Sequence, residues 1–181
     1  GVVTGVGDSV VQARAIDDSG NIQSNPATLS GTVACPCSLF GDAVPTTIDS
    51  NDSSPVTVGV KFTPSADGFI SGLRFYKAAA NTGTHTGTLY KSDGTVLSTV
   101  TFANESASGW QTASFGTAVP VNAGSTYVAS YVAPNGHYSG DNEYFAYKNV
   151  NSGPLTALGG YANPNGVYSV TGGMPGLSYQ Q

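Results

Sequence analysis

Gly68-Phe69-Ile70-Ser71-Gly72-Leu73-Arg74-Phe75-Tyr76-Lys77 is the stretch that decides the fold. Successive side chains of a strand point to opposite faces. Phe69, Leu73 and Phe75 alternate with Arg74 and Tyr76, which predicts a strand with one buried face. Outward from it the same signature recurs at 56–63, 87–91, 95–102, 110–115 and 125–133. Each run is short, rich in Val, Thr, Tyr and Phe, and bounded by Gly, Pro, Asn or Asp. Ser92-Asp93-Gly94 between two such runs reads as a hairpin loop. No window sustains a helical apolar period; Ala78-Ala79-Ala80 is too short to nucleate a helix, and Asn81-Thr82-Gly83 stops it. The expected fold is all-β, an antiparallel β-sandwich of jelly-roll-like type.

Composition narrows the function. Among 181 residues only 6 are Lys or Arg and 11 Asp or Glu, so charged residues make up 9%, against about 25% in ordinary soluble domains. Gly (24) and Pro (10) are in excess, and aromatics at 10% suffice to build a core. A net charge of −5 with no Lys/Arg cluster argues against nucleic acid and anionic membrane surfaces, since no basic stripe exists to neutralise phosphates. No run nears the ~18 consecutive apolar residues of a membrane span. The opening Gly1-Val2-Val3-Thr4-Gly5 has neither a basic n-region nor an apolar h-region, so the expectation is a chain from which any signal peptide has been removed. A surface of Ser, Thr, Asn and Gly is the style of secreted proteins.

Two further runs, 10–16 and 27–33, flank the turn Asp17-Asp18-Ser19-Gly20-Asn21. They make one hairpin, which is marginal alone in water. Residues 1–34 therefore read as the end of a preceding module, 35–37 (Cys35-Pro36-Cys37) as a linker, and 38–181 as the sandwich. Residues 10–23 resemble the penultimate strand and turn of bacterial fibronectin-III-like or immunoglobulin-like repeats. Gly59-Val60-Lys61-Phe62, the run 68–77, Asn81-Thr82-Gly83-Thr84-His85-Thr86-Gly87, Gly109-Trp110-Gln111, the run 123–131 and Pro134-Asn135-Gly136-His137-Tyr138 follow in order. Over about residues 37–179 they resemble the bacterial family catalogued as domain of unknown function 4082. The resemblance implies a place in a large secreted, multidomain bacterial protein beside immunoglobulin-like repeats and glycan-active modules, and it carries no activity with it. It also implies a final aromatic strand past Met174-Pro175. The sandwich is therefore expected to lack its last strand, either because the chain is cut there or because a neighbouring subunit supplies one.

Candidate chemistry is thin. The only cysteines, Cys35 and Cys37, are too few for a zinc site and lack redox C-x-x-C spacing. A structural disulfide between them requires a bent backbone; free thiols and intermolecular pairing are the other outcomes. His85 and His137 sit in Gly/Thr/Asn-rich loops and are expected either to share a loop-end site with Asp141 or to fix turns. Calcium wants several oxygen ligands, and the candidate loops are Asp17-Asp18-Ser19-Gly20-Asn21, Asp49-Ser50-Asn51-Asp52 and, as the ligand set, Asp141-Asn142-Glu143, although Asp and Asn are also ordinary turn formers. Sugar recognition uses exposed aromatic faces and neutral hydrogen bonders. Trp110 and the cluster Tyr138, Tyr144, Phe145 and Tyr147 are candidates, with core burial as the rival role for Trp110. No nucleophile–base motif or spaced carboxylate pair is present, so no enzyme is expected. The expected function is a non-catalytic, secreted or cell-surface module that binds extracellular polysaccharide or neighbouring protein modules, without membrane insertion. The alternative is a structural subunit of an extracellular fibre, a homo-oligomer completed by a neighbour's strand.

Overall fold

A computed structural model of the chain describes residues 7–13, 24, 25, 27–33, 37–161 and 165–178. Two compact units divide at Cys37/Ser38. The first holds β1 (Gly7–Ala13) and β2 (Ala27–Val33), paired antiparallel from Gly7↔Val33 to Ala13↔Ala27. The turn expected at 17–21 and the residue Cys35 lie outside the described residues, so the proposed Cys35–Cys37 pairing does too.

The second unit contains β3 (Val56–Pro64), β4 (Gly68–Lys77), β5 (Thr86–Lys91), β6 (Val96–Thr101), β7 (Gly109–Val121) and β8 (Tyr127–Ala133). Three short strands follow: β9 (Val150–Ser152), β10 (Leu155–Ala157) and β11 (Gly166–Ser169). Its larger sheet runs β6-β5-β8-β3-β10-β9, and β11 also pairs with β3. One edge of β3 therefore serves two short partners end to end, β11 against Thr57–Val60 and β10 against Thr63–Pro64. The other layer is the antiparallel pair β4–β7. All these pairings are antiparallel and no helix occurs among the described residues, so the unit is an all-β sandwich.

The core is what the two layers bury between them. Phe62, Leu89 and Tyr127 from one layer meet Leu73, Phe75, Phe115 and Val119 from the other, with Phe102 closing one side. Phe75 stacks on Tyr131 at 4.1 Å between centroids and meets Phe102 edge-on at 4.8 Å. Period two is plain in β7, where Gln111, Ala113, Phe115, Val119 and Val121 are buried and Thr112, Ser114 and Pro120 exposed.

One residue of the deciding strand departs from the expected pattern. Phe69 is 68% exposed, while Ile70 packs on the core. The β4–β7 register explains it: Ile70 pairs with Val119 but Gly72 with Ser114, so two steps along β4 oppose five along β7. The irregularity shifts the phase of the alternation, turning Phe69 outward while Leu73 and Phe75 stay inward. A Cβ at Gly72 would lie 2.2 Å from the Ala113 carbonyl oxygen, so the irregularity also requires a residue without a side chain.

Candidate ligand-binding surface

The segments joining the strands gather the polar candidates at one end of the sandwich. Asn135 donates its Nδ2–H to Thr82, Tyr138 bridges to Lys77, and Gly140 exchanges backbone hydrogen bonds with Thr47. The loops carrying His85 and His137 are thus neighbours, yet the two histidines have different partners.

His85 is fully buried. Its Nδ1 lies 2.8 Å from Glu105 Oε1, and its Nε2 faces Asn81 Oδ1 at 2.9 Å. The ring packs 4.9 Å from Phe75. Glu105 also accepts from Lys77 Nζ at 2.8 Å, and Asn81 reaches the Tyr131 hydroxyl at 3.4 Å. Burial raises the Glu105 carboxyl, but hydrogen bonds from Lys77 and His85 outweigh it and hold the group below its ordinary value. Burial pushes the Tyr131 phenol above the usual range. Buried charges persist only when paired and hydrogen-bonded, and this chain of five side chains meets that condition. Both imidazole nitrogens are occupied, so His85 ties the β4–β5 loop to the β6–β7 loop and offers nothing to solvent.

His137 serves the opposite side of the loop cluster. Its backbone is left-handed (φ 55°), its N–H donates to the Asp52 carbonyl at 2.6 Å, and its Nδ1 meets Asp49 Oδ1 at 2.9 Å. The Asn51 N–H, followed by His137, holds the Asp49 carboxyl below its ordinary value. Asp141 does not join either histidine: its Oδ1 accepts from the backbone N–H groups of Thr46 and Thr47. Tyr138 is half-buried beside Asp52, and burial with that charge raises its phenol. The expected grouping of His85, His137 and Asp141 therefore does not form. Among the described residues no three His, Cys, Asp or Glu side chains converge on a metal position. Of the calcium set, Asp141 caps backbone and Glu143 faces a tyrosine, while Asn142 is exposed.

Trp110 lies half-buried on the outer face of β4–β7, opposite Tyr76 and edge-on to it at 5.6 Å. The Arg74 guanidinium covers its ring at 4.7 Å, and its Nε1–H donates to the Ala43 carbonyl at 3.0 Å. Arg74 is fixed in turn by Gly41 and Asp42. Trp110 is thus neither in the core nor bare; a cation–π lid occupies the face a sugar would use. Tyr144 is likewise engaged, packing edge-on against Phe40 and Phe145 at 5.8 and 5.2 Å.

Open aromatic surface lies further along the same segment. Tyr147 is 75% and Tyr161 60% exposed, their rings edge-to-face at 5.6 Å and 85°. The Tyr161 hydroxyl is 2.9 Å from that of Tyr147 and 3.4 Å from Glu143 Oε1. Hydrogen bonding to Tyr147, with the Glu143 charge nearby, pushes the Tyr161 phenol up to about 12. Glu143 holds a left-handed backbone (φ 56°) and Ala146 donates to its carbonyl. Gly160 donates to the Phe145 carbonyl and Gly159 to Asn149, which sets residues 158–161 against 143–149.

The model of one protein family, described as Domain of unknown function (DUF4082), matches residues 42–181. The chain belongs to that family. The match takes in the whole sandwich except its first few residues, and the tyrosine pair falls within it. No curated protein and no solved structure matches the chain. In this family member the open surface rests on Tyr161, which single-sequence reasoning passes over, and on Glu143, which it assigns to calcium. The available signal is Gly159-Gly160-Tyr161, an aromatic residue in a glycine loop. Nothing in the sequence tells that this loop folds back on Tyr147.

Proposed function

We propose that this DUF4082 module is a non-catalytic carbohydrate-binding unit of a secreted or cell-surface protein, with Tyr147 and Tyr161 as its contact surface. The observation that carries the reading is the pair itself: two large rings left open to solvent, yet fixed edge-to-face by loops that hydrogen-bond to each other. Tyrosine offers an apolar ring for the C–H face of a pyranose and a hydroxyl for its polar rim, at little cost in side-chain entropy. Loops on a rigid sandwich are where such groups are usually displayed. Neutral polar side chains suit the hydroxyls of a sugar. The non-catalytic part of the proposal is supported by His85, which is fully buried with both ring nitrogens bonded, and by Asp141, which caps the backbone of Thr46 and Thr47.

Pull-down on a panel of insoluble polysaccharides tests this. Wild type is retained on at least one glycan, and the Tyr147→Ala/Tyr161→Ala double variant loses at least tenfold in affinity, because aromatic contacts carry ~1 kcal/mol or more each. No retention on any glycan, or a double variant that binds like wild type, refutes it.

A further inference from the structure

We infer that the tyrosine pair and Glu143 together select a sugar bearing a free, protonated amine. This rests on the carbohydrate-binding reading and names the substrate class of that same surface. Two rings at 85° form two walls of a corner. Ring faces carry negative quadrupole potential, so a corner of aromatic walls attracts an ammonium group. The carboxylate of Glu143 reaches the hydroxyl of Tyr161 at 3.4 Å and is exposed. Among the described residues it has no cationic partner, whereas Glu105 and Asp42 are paired with Lys77 and Arg74. Glu143 sits in this position through a backbone conformation that side chains other than glycine seldom adopt. A left-handed glutamate beside two open tyrosines is the chemistry for an amino sugar: stacking for the ring, a carboxylate and π-faces for the amine. A net charge of −5 across the chain favours approach of a polycationic glycan.

The test compares the full chain on chitin and on its deacetylated form at mildly acidic pH, where the polymer amines are protonated. Expected is tighter retention on the deacetylated polymer, weakened by added salt. Glu143→Gln lowers that affinity about fivefold, the scale of one exposed ion pair, and narrows the difference in retention between the two polymers. All three positions are on the surface, so folding is unaffected, and an unchanged thermal transition confirms it. Equal retention on both polymers, or a Glu143→Gln variant indistinguishable from wild type, overturns this inference. If Tyr147→Ala still abolishes retention in that case, the carbohydrate-binding reading survives. If Tyr147→Ala is also silent, both fall.

Discussion

At the scale of single residues, His85 shows how environment assigns a role that residue type leaves open. In a Gly/Thr loop an imidazole could face solvent or the interior. Here Phe75 covers one side of the ring, and Glu105 and Asn81 take its two nitrogens. His85→Ala leaves the Glu105–Lys77 pair partly unsatisfied and opens a cavity against Phe75. The expected cost is ~3 kcal/mol, read from the urea midpoint. Glu105 sets a pH dependence. Its folded value lies below the ordinary 4.5, so it adds stability above the unfolded value, and that contribution is lost as pH falls through the folded value. Urea midpoints should therefore decline below about pH 4.5. Glu105→Gln should flatten part of that decline while lowering stability at neutral pH. Gly136 is a second residue-scale test: at φ 68° an added Cβ would sit 2.1 Å from the Asp52 carbonyl oxygen. Gly136→Ala should cost ~2–3 kcal/mol and loosen the His137 loop.

At the scale of elements, burial between two layers dominates. Phe75 on β4 touches His85, Phe102 and Tyr131. Phe75→Ala should destabilise by ~3–5 kcal/mol, with a lower midpoint and an unchanged denaturant slope. Strands β3 to β8 were legible in the sequence because each is long enough to show alternation and ends at Gly, Pro, Asn or Asp. The short β9, β10 and β11 were not, since three or four residues cannot display a period. β10 and β11 exist because the free edge of β3 offers them hydrogen-bond partners, and β9 because β10 does. Phe69 was misread for a related reason: period two holds only while register holds, and the irregularity beside Gly72 is a property of the partner strand. The candidate site was less legible than the fold. Trp110 and Tyr144 were recognised as aromatic material, but whether a ring is bare depends on Arg74 and Phe40, which lie far off in sequence.

At the scale of the whole molecule, the sandwich from Ser38 onward has its own core among the described residues. Residues 38–181 produced alone should therefore unfold in one cooperative transition at the Tm of the same transition in the full chain, measured by calorimetry. Low charge and abundant glycine acquire a physical meaning at this scale. Turns between many short strands use the glycines, and the few acids and bases near the loop end are mostly consumed in holding loops together. The proposed recognition surface is the two open rings with Glu143, whose carboxylate accepts from the Tyr161 hydroxyl. The most direct test is a nuclear magnetic resonance titration of isotopically labelled protein with soluble oligosaccharide from a retained glycan. Saturable shifts confined to amides of 143–149 and 158–161, with His85 and Glu105 unmoved, are the result predicted. Shifts centred on Trp110 or the His137 loop, or none at all, would contradict it.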